Sequence, residues 1–220
     1  MILLDAGTSY SKILNTEDET IEIIPTKELP AGCISDIATG HNITNRTKKG
    51  VNELIALTRG SLNIVNNEDN FAVVDIGSRD IKYIKIRDRR YEGSDWNTSC
   101  GAFSGFTIEM LGRHYNIDFT NINPSETEMP VTCGLFGMSY MFDMIGRGYA
   151  PEDAISYLIK GIVMGIYRFA QSPERLYLSG GLCNNNLVIN SFPCEVIPLG
   201  RFALLEGLKV YTEEEITYTS

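Results

Sequence analysis

Asp5-Ala6-Gly7-Thr8-Ser9-Tyr10-Ser11-Lys12 and, seventy positions on, Asp75-Ile76-Gly77-Ser78-Arg79-Asp80-Ile81-Lys82 share the pattern D-x-G-[ST]-x-x-x-K. Each copy follows a short apolar run, Ile2-Leu3-Leu4 and Phe71-Ala72-Val73-Val74, and each leads into β-branched or apolar residues. Ordinary residue usage would place one such copy in a chain of this length on the order of once in 100. Ordinary hairpins use the same turn residues, so one copy alone would say little. Two copies in matching strand–turn–strand settings predict two related halves facing a common ligand.

The pattern supplies the chemistry of a phosphate turn. Gly7 and Gly77 permit a tight turn close to an anion, and backbone N–H groups with the Thr8, Ser9 or Ser78 hydroxyls donate to its oxygens. Asp5 and Asp75, at strand ends, suit a hydrated Mg2+, which keeps several of its waters. Lys12 and Lys82 supply point cations. A third glycine element, Ser179-Gly180-Gly181-Leu182-Cys183-Asn184, ends a predicted strand at Arg175–Leu178 and precedes a helix start, so that a flat ring could lie against backbone.

Composition bounds what else the chain could be. With 220 residues it is long enough for one large domain or two small ones, and 43% hydrophobic and 21% charged residues are ordinary for a globular protein. A net charge of −9 argues against a broad nucleic-acid-binding face but not against a nucleotide. Met1-Ile2-Leu3-Leu4 meets Asp5 with no basic start or long apolar core, and the longest apolar stretch, from Ala154 to Ala170, is broken by Lys160 and Arg168. A cytoplasmic protein without a membrane span is the expectation. Five cysteines without a C-x-x-C pair give no disulfide framework and no single-chain zinc ribbon.

Along the chain, strands are expected at Met1–Leu4, Ser11–Leu14 and Glu22–Pro25, and a helix over Val51–Thr58. Asn66–Asn70 reads as a linker, after which the order restarts. Trp96–Gly101 reads as a loop, and helices are expected over Phe103–Gly112, Phe136–Ile145, from Pro151 to Phe169 and over Ala203–Val210. Thr212–Ser220 reads as an acidic tail without pattern. The expected architecture is α/β, with residues 1–70 plus 200–220 in one lobe and 71–199 in the other.

These features resemble the actin, sugar-kinase and heat-shock ATPase superfamily, which implies a two-lobed actin-like (ribonuclease H-like) fold. More narrowly, Asp75–Lys82 is similar to the D-I-G-G-Q-D-x-K segment of the activators of 2-hydroxyacyl-CoA dehydratases, which group with the ATPase subunits of benzoyl-CoA reductases. Ala38-Thr39-Gly40 and Asn52-Glu53-Leu54-Ile55 also match. So does Asn97-Thr98-Ser99-Cys100-Gly101-Ala102-Phe103-Ser104-Gly105, against N-D-x-C-A-A-G-T-G. The resemblance spreads over residues 2 to 210.

The resemblance implies ATP with Mg2+ at Asp5, Gly7, Thr8, Ser9, Lys12, Asp75, Gly77, Ser78 and Lys82, with adenine near Gly180, Gly181 and Asn184. It also implies a [4Fe-4S] cluster shared across a homodimer through Cys100 and Cys133. Two thiolates per chain give the four that a cubane needs. Each cysteine stands just before a predicted helix, where the N-terminal dipole favours a thiolate. The implied activity is an ATPase that takes an electron from a low-potential donor and passes it to a partner iron–sulfur dehydratase or reductase. Cys33, Cys183 and Cys194 have no counterpart and read as small buried residues, and His41 and His114 as surface or packing residues. Ser78 and Arg79 replace the family's second glycine and its glutamine; if that glutamine orients the attacking water, hydrolysis here is slow or relies on Asp80. Phe136-Gly137-Met138-Ser139-Tyr140 lacks both acids of the family's F-A-E-S-E. Two other readings fit the motifs, a cluster-free small-molecule kinase and a non-hydrolysing ATP-binding regulatory subunit.

Overall fold

The computed structural model describes residues 1–97, 104–130 and 134–219. The chain divides into two compact units. One comprises Met1–Asn70, Ile86–Glu92 and Arg201–Ser220, the other Phe71–Lys85 and Gly93–Gly200.

The first unit is built on β1 (Ile2–Ala6), β2 (Tyr10–Asn15), β3 (Thr20–Pro25), β4 (Ser35–Thr39) and β5 (Thr47–Gly50), followed by α1 (Glu53–Ile64). Its five-stranded sheet has the order β3-β2-β1-β4-β5. β1 pairs antiparallel with β2 and parallel with β4. Central β1 buries Leu3, Leu4, Asp5 and Ala6, whereas edge strand β3 is exposed from Thr20 to Ile23 and carries Glu22 outward. A charged edge discourages pairing with other chains. Asn52 caps α1, its side-chain oxygen accepting from Leu54 N at 2.8 Å.

The second unit repeats this plan with an insertion. β6 (Phe71–Ile76), β7 (Ile81–Arg87) and β8 (Arg90–Asn97) come first. Three helices follow, α2 (Ser104–Tyr115), α3 (Gly134–Gly146) and α4 (Pro151–Phe169), and then β9 (Arg175–Gly180), α5 (Asn186–Ser191) and β10 (Glu195–Gly200). The sheet order is β10-β9-β6-β7-β8. Read from β8, that is third-second-first-fourth-fifth, the same order as in the first unit. Every residue of β6 is buried, as expected of a central strand covered on both faces. α4 starts with proline at its first position and two acids in its first turn, and packs Ile155, Leu158, Ile159, Val163 and Ile166 into the core with Val74, Ile76 and Leu178.

The last helix, α6 (Ala203–Thr219), returns to the first unit. It crosses α1 so closely that a Cβ on Gly60 would strike the Ala203 carbonyl and one on Gly207 the Ala56 carbonyl. Two readings of the sequence are corrected here. Thr212–Thr219 continues α6 instead of forming a tail, glutamates being good helix formers. Trp96 and Asn97 belong to β8 and not to a loop.

Candidate functional site

Both D-x-G turns sit where the repeat predicts, between β1 and β2 and between β6 and β7. The parallel strand beside each is also equivalent. In the first unit Asp5 lies opposite Thr39, and Gly40 follows with φ +107°. In the second Asp75 lies opposite Ser179 and Ile76 opposite Gly180, whose φ is +92°. A Cβ on Gly40 would overlap the backbone of Ala6, and one on Gly180 that of Ile76, so only glycine lets these strand ends approach the turns.

In the first turn, Asp5 is buried and its Oδ2 accepts from the Lys12 ammonium. The Gly7 carbonyl accepts from Thr26 Oγ1 at 2.9 Å and from Asn42 Nδ2 at 2.9 Å. Thr26 in turn shares a 2.9 Å hydrogen bond with Ser11. Thr8 is exposed and Ser9 half-buried, so the turn is held from behind while its hydroxyl edge stays open. Beside it, Thr39 Oγ1 is fully buried and has no hydrogen-bond partner among the described residues. Such a group costs about 1–3 kcal/mol unless something bonds it.

The second turn is more enclosed. Gly77 N donates to Asp80 O at 2.9 Å, closing the turn, and Phe106 N at the start of α2 donates to Ser78 O at 3.3 Å. Asp75 and Asp80 are 4% exposed and Lys82 2%. Lys82 Nζ stands 2.9 Å from Asp80 Oδ1 and 3.8 Å from Asp75 Oδ2. Trp96 Nε1 donates to Asp80 Oδ2 at 2.9 Å, and Lys82 Nζ lies 5.0 Å from the Trp96 ring centre. Two buried carboxylates therefore share the Lys82 ammonium. Ser78 is half-buried and Arg79 exposed.

At the third glycine element, Gly180 is buried, while Gly181 and Asn184 are exposed. Ser179 Oγ donates to Gly200 O at 3.2 Å, and Asn185 caps α5 by accepting from Val188 N at 3.1 Å. Cys100 and Cys133 lie outside the described residues. Of the other thiols Cys183 is buried as expected, whereas Cys194 is only half-buried and Cys33 exposed. Burial pushes the Cys194 thiol above its ordinary value.

Sequence reasoning misses four participants, Trp96, His41, Thr39 and Gly40. Trp96, expected in a loop, lies in β8 and contacts the second turn. His41 Nδ1 lies 3.2 Å from Glu53 Oε1, pairing the first residue of α1 with the loop after Gly40, so His41 is not merely a surface or packing residue. Thr39 and Gly40 stand out in the sequence only through the resemblance. Their signal was the small polar pair Thr-Gly ending a strand, the same signal that Ser179-Gly180 gives.

For a phosphate with hydrated Mg2+ these residues fit. Four glycines let the turns and their neighbours approach closely, the buried Thr39 hydroxyl has no partner among the described residues, and two buried carboxylates meet at the second turn.

Duplicated five-stranded sheets with paired D-x-G turns give the α/β fold of actin-like ATPases. Solved structures agree. The activator of 2-hydroxyisocaproyl-CoA dehydratase from Clostridium difficile, determined with bound ADPNP, is similar with a TM-score of 0.77 and 18% identity, over 100% of this chain and 97% of that one. Component A of (R)-2-hydroxyglutaryl-CoA dehydratase from Acidaminococcus fermentans gives 0.77 and 17% over 96% of each chain. A PilM-PilN type IV pilus biogenesis complex gives 0.57 and 12% over 95% of this chain and 98% of that chain, so the fold alone does not fix the function. No family model and no curated protein matches the sequence. No helix among the described residues is long and apolar enough to cross a membrane.

Proposed function

We propose that this chain is an ATP-dependent activator of a partner iron–sulfur enzyme, working in the cytoplasm as a homodimer. The observation that carries the reading is the duplicated turn, Asp5–Lys12 and Asp75–Lys82, in one strand order in both units. The likeness to two dehydratase activators, one carrying ADPNP, supports it.

In this reading Thr8, Ser9 and Ser78 donate to phosphate oxygens together with the turn N–H groups. Lys12, partly exposed, exchanges its Asp5 partner for phosphate charge. Asp5 and Asp75 hold waters of Mg2+, and Asp80 orients the water that attacks. Gly180, Gly181 and Asn184 receive the adenine. Cys100 and Cys133 would hold a [4Fe-4S] cluster shared by two chains, which when bound supplies a low-potential electron to a CoA-ester dehydratase or reductase. Nucleotide can drive that transfer only if it binds one arrangement of the protein more tightly than another.

The test is iron and sulfide per dimer after strictly anaerobic purification, with nucleotide binding measured in parallel. We expect four irons per dimer, lost in Cys100→Ser and Cys133→Ser while nucleotide binding persists. Folded, iron-free protein that binds ATP would remove the electron-transfer role. Turnover that then depends on a small substrate would indicate the kinase, and binding without turnover the regulatory subunit.

A further inference from the structure

Asp80 is the one acid of the second turn that belongs to the turn itself, and its backbone is fixed. Its carbonyl accepts from Gly77 N at 2.9 Å, the neighbouring Ser78 carbonyl accepts from Phe106 N at 3.3 Å, and Gly105 leaves no room for a Cβ against Gly77. What remains variable is the carboxylate, and two donors from different strands fix it. Lys82 of β7 takes Oδ1 at 2.9 Å and Trp96 of β8 takes Oδ2 at 2.9 Å. A carboxylate held at both oxygens by a cation and a rigid indole has one orientation. Charge-assisted bonds of this kind are about twice as strong as neutral ones.

We propose that Trp96 is a positioning residue for Asp80: with Lys82 it sets the angle of the carboxylate that orients water at the second phosphate turn. This rests on the nucleotide-binding reading above. Arg79 is exposed, whereas Asp80 is buried in the turn and takes its orientation from Lys82 and Trp96. Trp96 is also the chain's one tryptophan, half-buried between a carboxylate and an ammonium. Its emission therefore senses any charge that arrives at the turn.

The experiment follows tryptophan emission of the full chain while Mg2+ and ADPNP are titrated, with equilibrium dialysis on the same samples. A saturable emission change is expected, with a midpoint matching the dialysis curve. Trp96→Phe, which removes the N–H and keeps an aromatic ring, should bind ADPNP within about threefold of the parent and lower kcat for ATP at least about tenfold, KM changing little; a tenfold loss is about 1.4 kcal/mol of transition-state stabilisation. Emission that stays flat while dialysis counts bound nucleotide would overturn the proposal, and that measurement stands even if Trp96→Phe fails to fold. So would an unchanged kcat in Trp96→Phe, or nucleotide bound without any turnover. No nucleotide bound in dialysis would refute the nucleotide-binding reading itself, and the positioning role with it.

Discussion

Thr39 and Ser179 occupy equivalent places, each opposite the first aspartate of a D-x-G turn and each followed by a glycine of positive φ. Their hydroxyls differ. Ser179 donates to Gly200 O at 3.2 Å, whereas Thr39 Oγ1 is buried without a partner among the described residues. Removing a hydroxyl should therefore have opposite signs at the two sites. Thr39→Val keeps the shape, replaces an unsatisfied polar group by a methyl and suits a strand. The relief is about 1–3 kcal/mol. Ser179→Ala loses a made bond, worth about 0.5–1.5 kcal/mol net. For a chain of this size each kcal/mol moves Tm by roughly 2–4 °C. Thermal and urea unfolding of the ligand-free protein should show Thr39→Val above the parent and Ser179→Ala below it. If the hydroxyl is held ready for a ligand, Thr39→Val should also bind Mg2+–ADPNP more weakly while being the more stable protein. A Thr39→Val midpoint below the parent's would mean the hydroxyl is already bonded, and the reasoning would fail.

Glycine substitutions separate folding from binding at the third element. Gly180→Ala, at φ +92° against the Ile76 backbone, should destabilise the protein by at least about 2 kcal/mol in urea unfolding. Gly181, with nothing within 4 Å of a built Cβ, should accept alanine with an unchanged midpoint, and a loss of ADPNP affinity there would locate the adenine; equal destabilisation by both changes would contradict this. A pH dependence is expected at Asp36, whose carboxylate accepts from Lys48 Nζ at 2.6 Å and from Ile2 N at 2.8 Å. The Lys48 ammonium first, and then the Ile2 N–H, hold it below the usual carboxylate range. Because the folded value is depressed, the stabilisation is complete above the unfolded carboxylate's value and is lost as pH falls through the folded one. The stability gap between parent and Asp36→Asn should be widest near neutrality, narrow in acid and shrink in salt, since Lys48 is largely exposed. A gap that widens in acid would count against the assignment.

Local pattern made some elements legible and left others hidden. The glycine turns announced β1–β2 and β6–β7, and the stripe from Ile155 to Ile166 announced α4, because periodicity and turn chemistry act over a few residues. β5, Thr47-Lys48-Lys49-Gly50, has no apolar alternation and is largely exposed. β8 is similarly polar, and β10 contains Pro198. Such strands form because a neighbouring strand offers hydrogen bonds, which is a tertiary cause. The same limit hid the contacts at the site. Trp96 reaches Asp80 across 16 positions, and Glu53 reaches His41 across 12; each pair is brought together by the course of strands and loops rather than by local spacing.

The duplication explains the shared scaffold, and the departures from it assign the work. In the first turn Asp5 pairs with a partly exposed ammonium, Lys12, a cation placed to change partners. In the second turn Lys82 is buried with Asp75 and Asp80 under the Trp96 ring, so two carboxylates gather around one ammonium. Moving Lys82 would take the ammonium away from two buried carboxylates, a loss of about 3–5 kcal/mol, so this lysine is expected to stay with its acids. The turn that can release a cation suits a phosphate. The turn that gathers two buried carboxylates suits Mg2+ and the water beside it. Equal motifs in equal strand orders thus arrive at unequal chemistry, and the residue that makes the second turn different, Trp96, lies outside the repeat altogether.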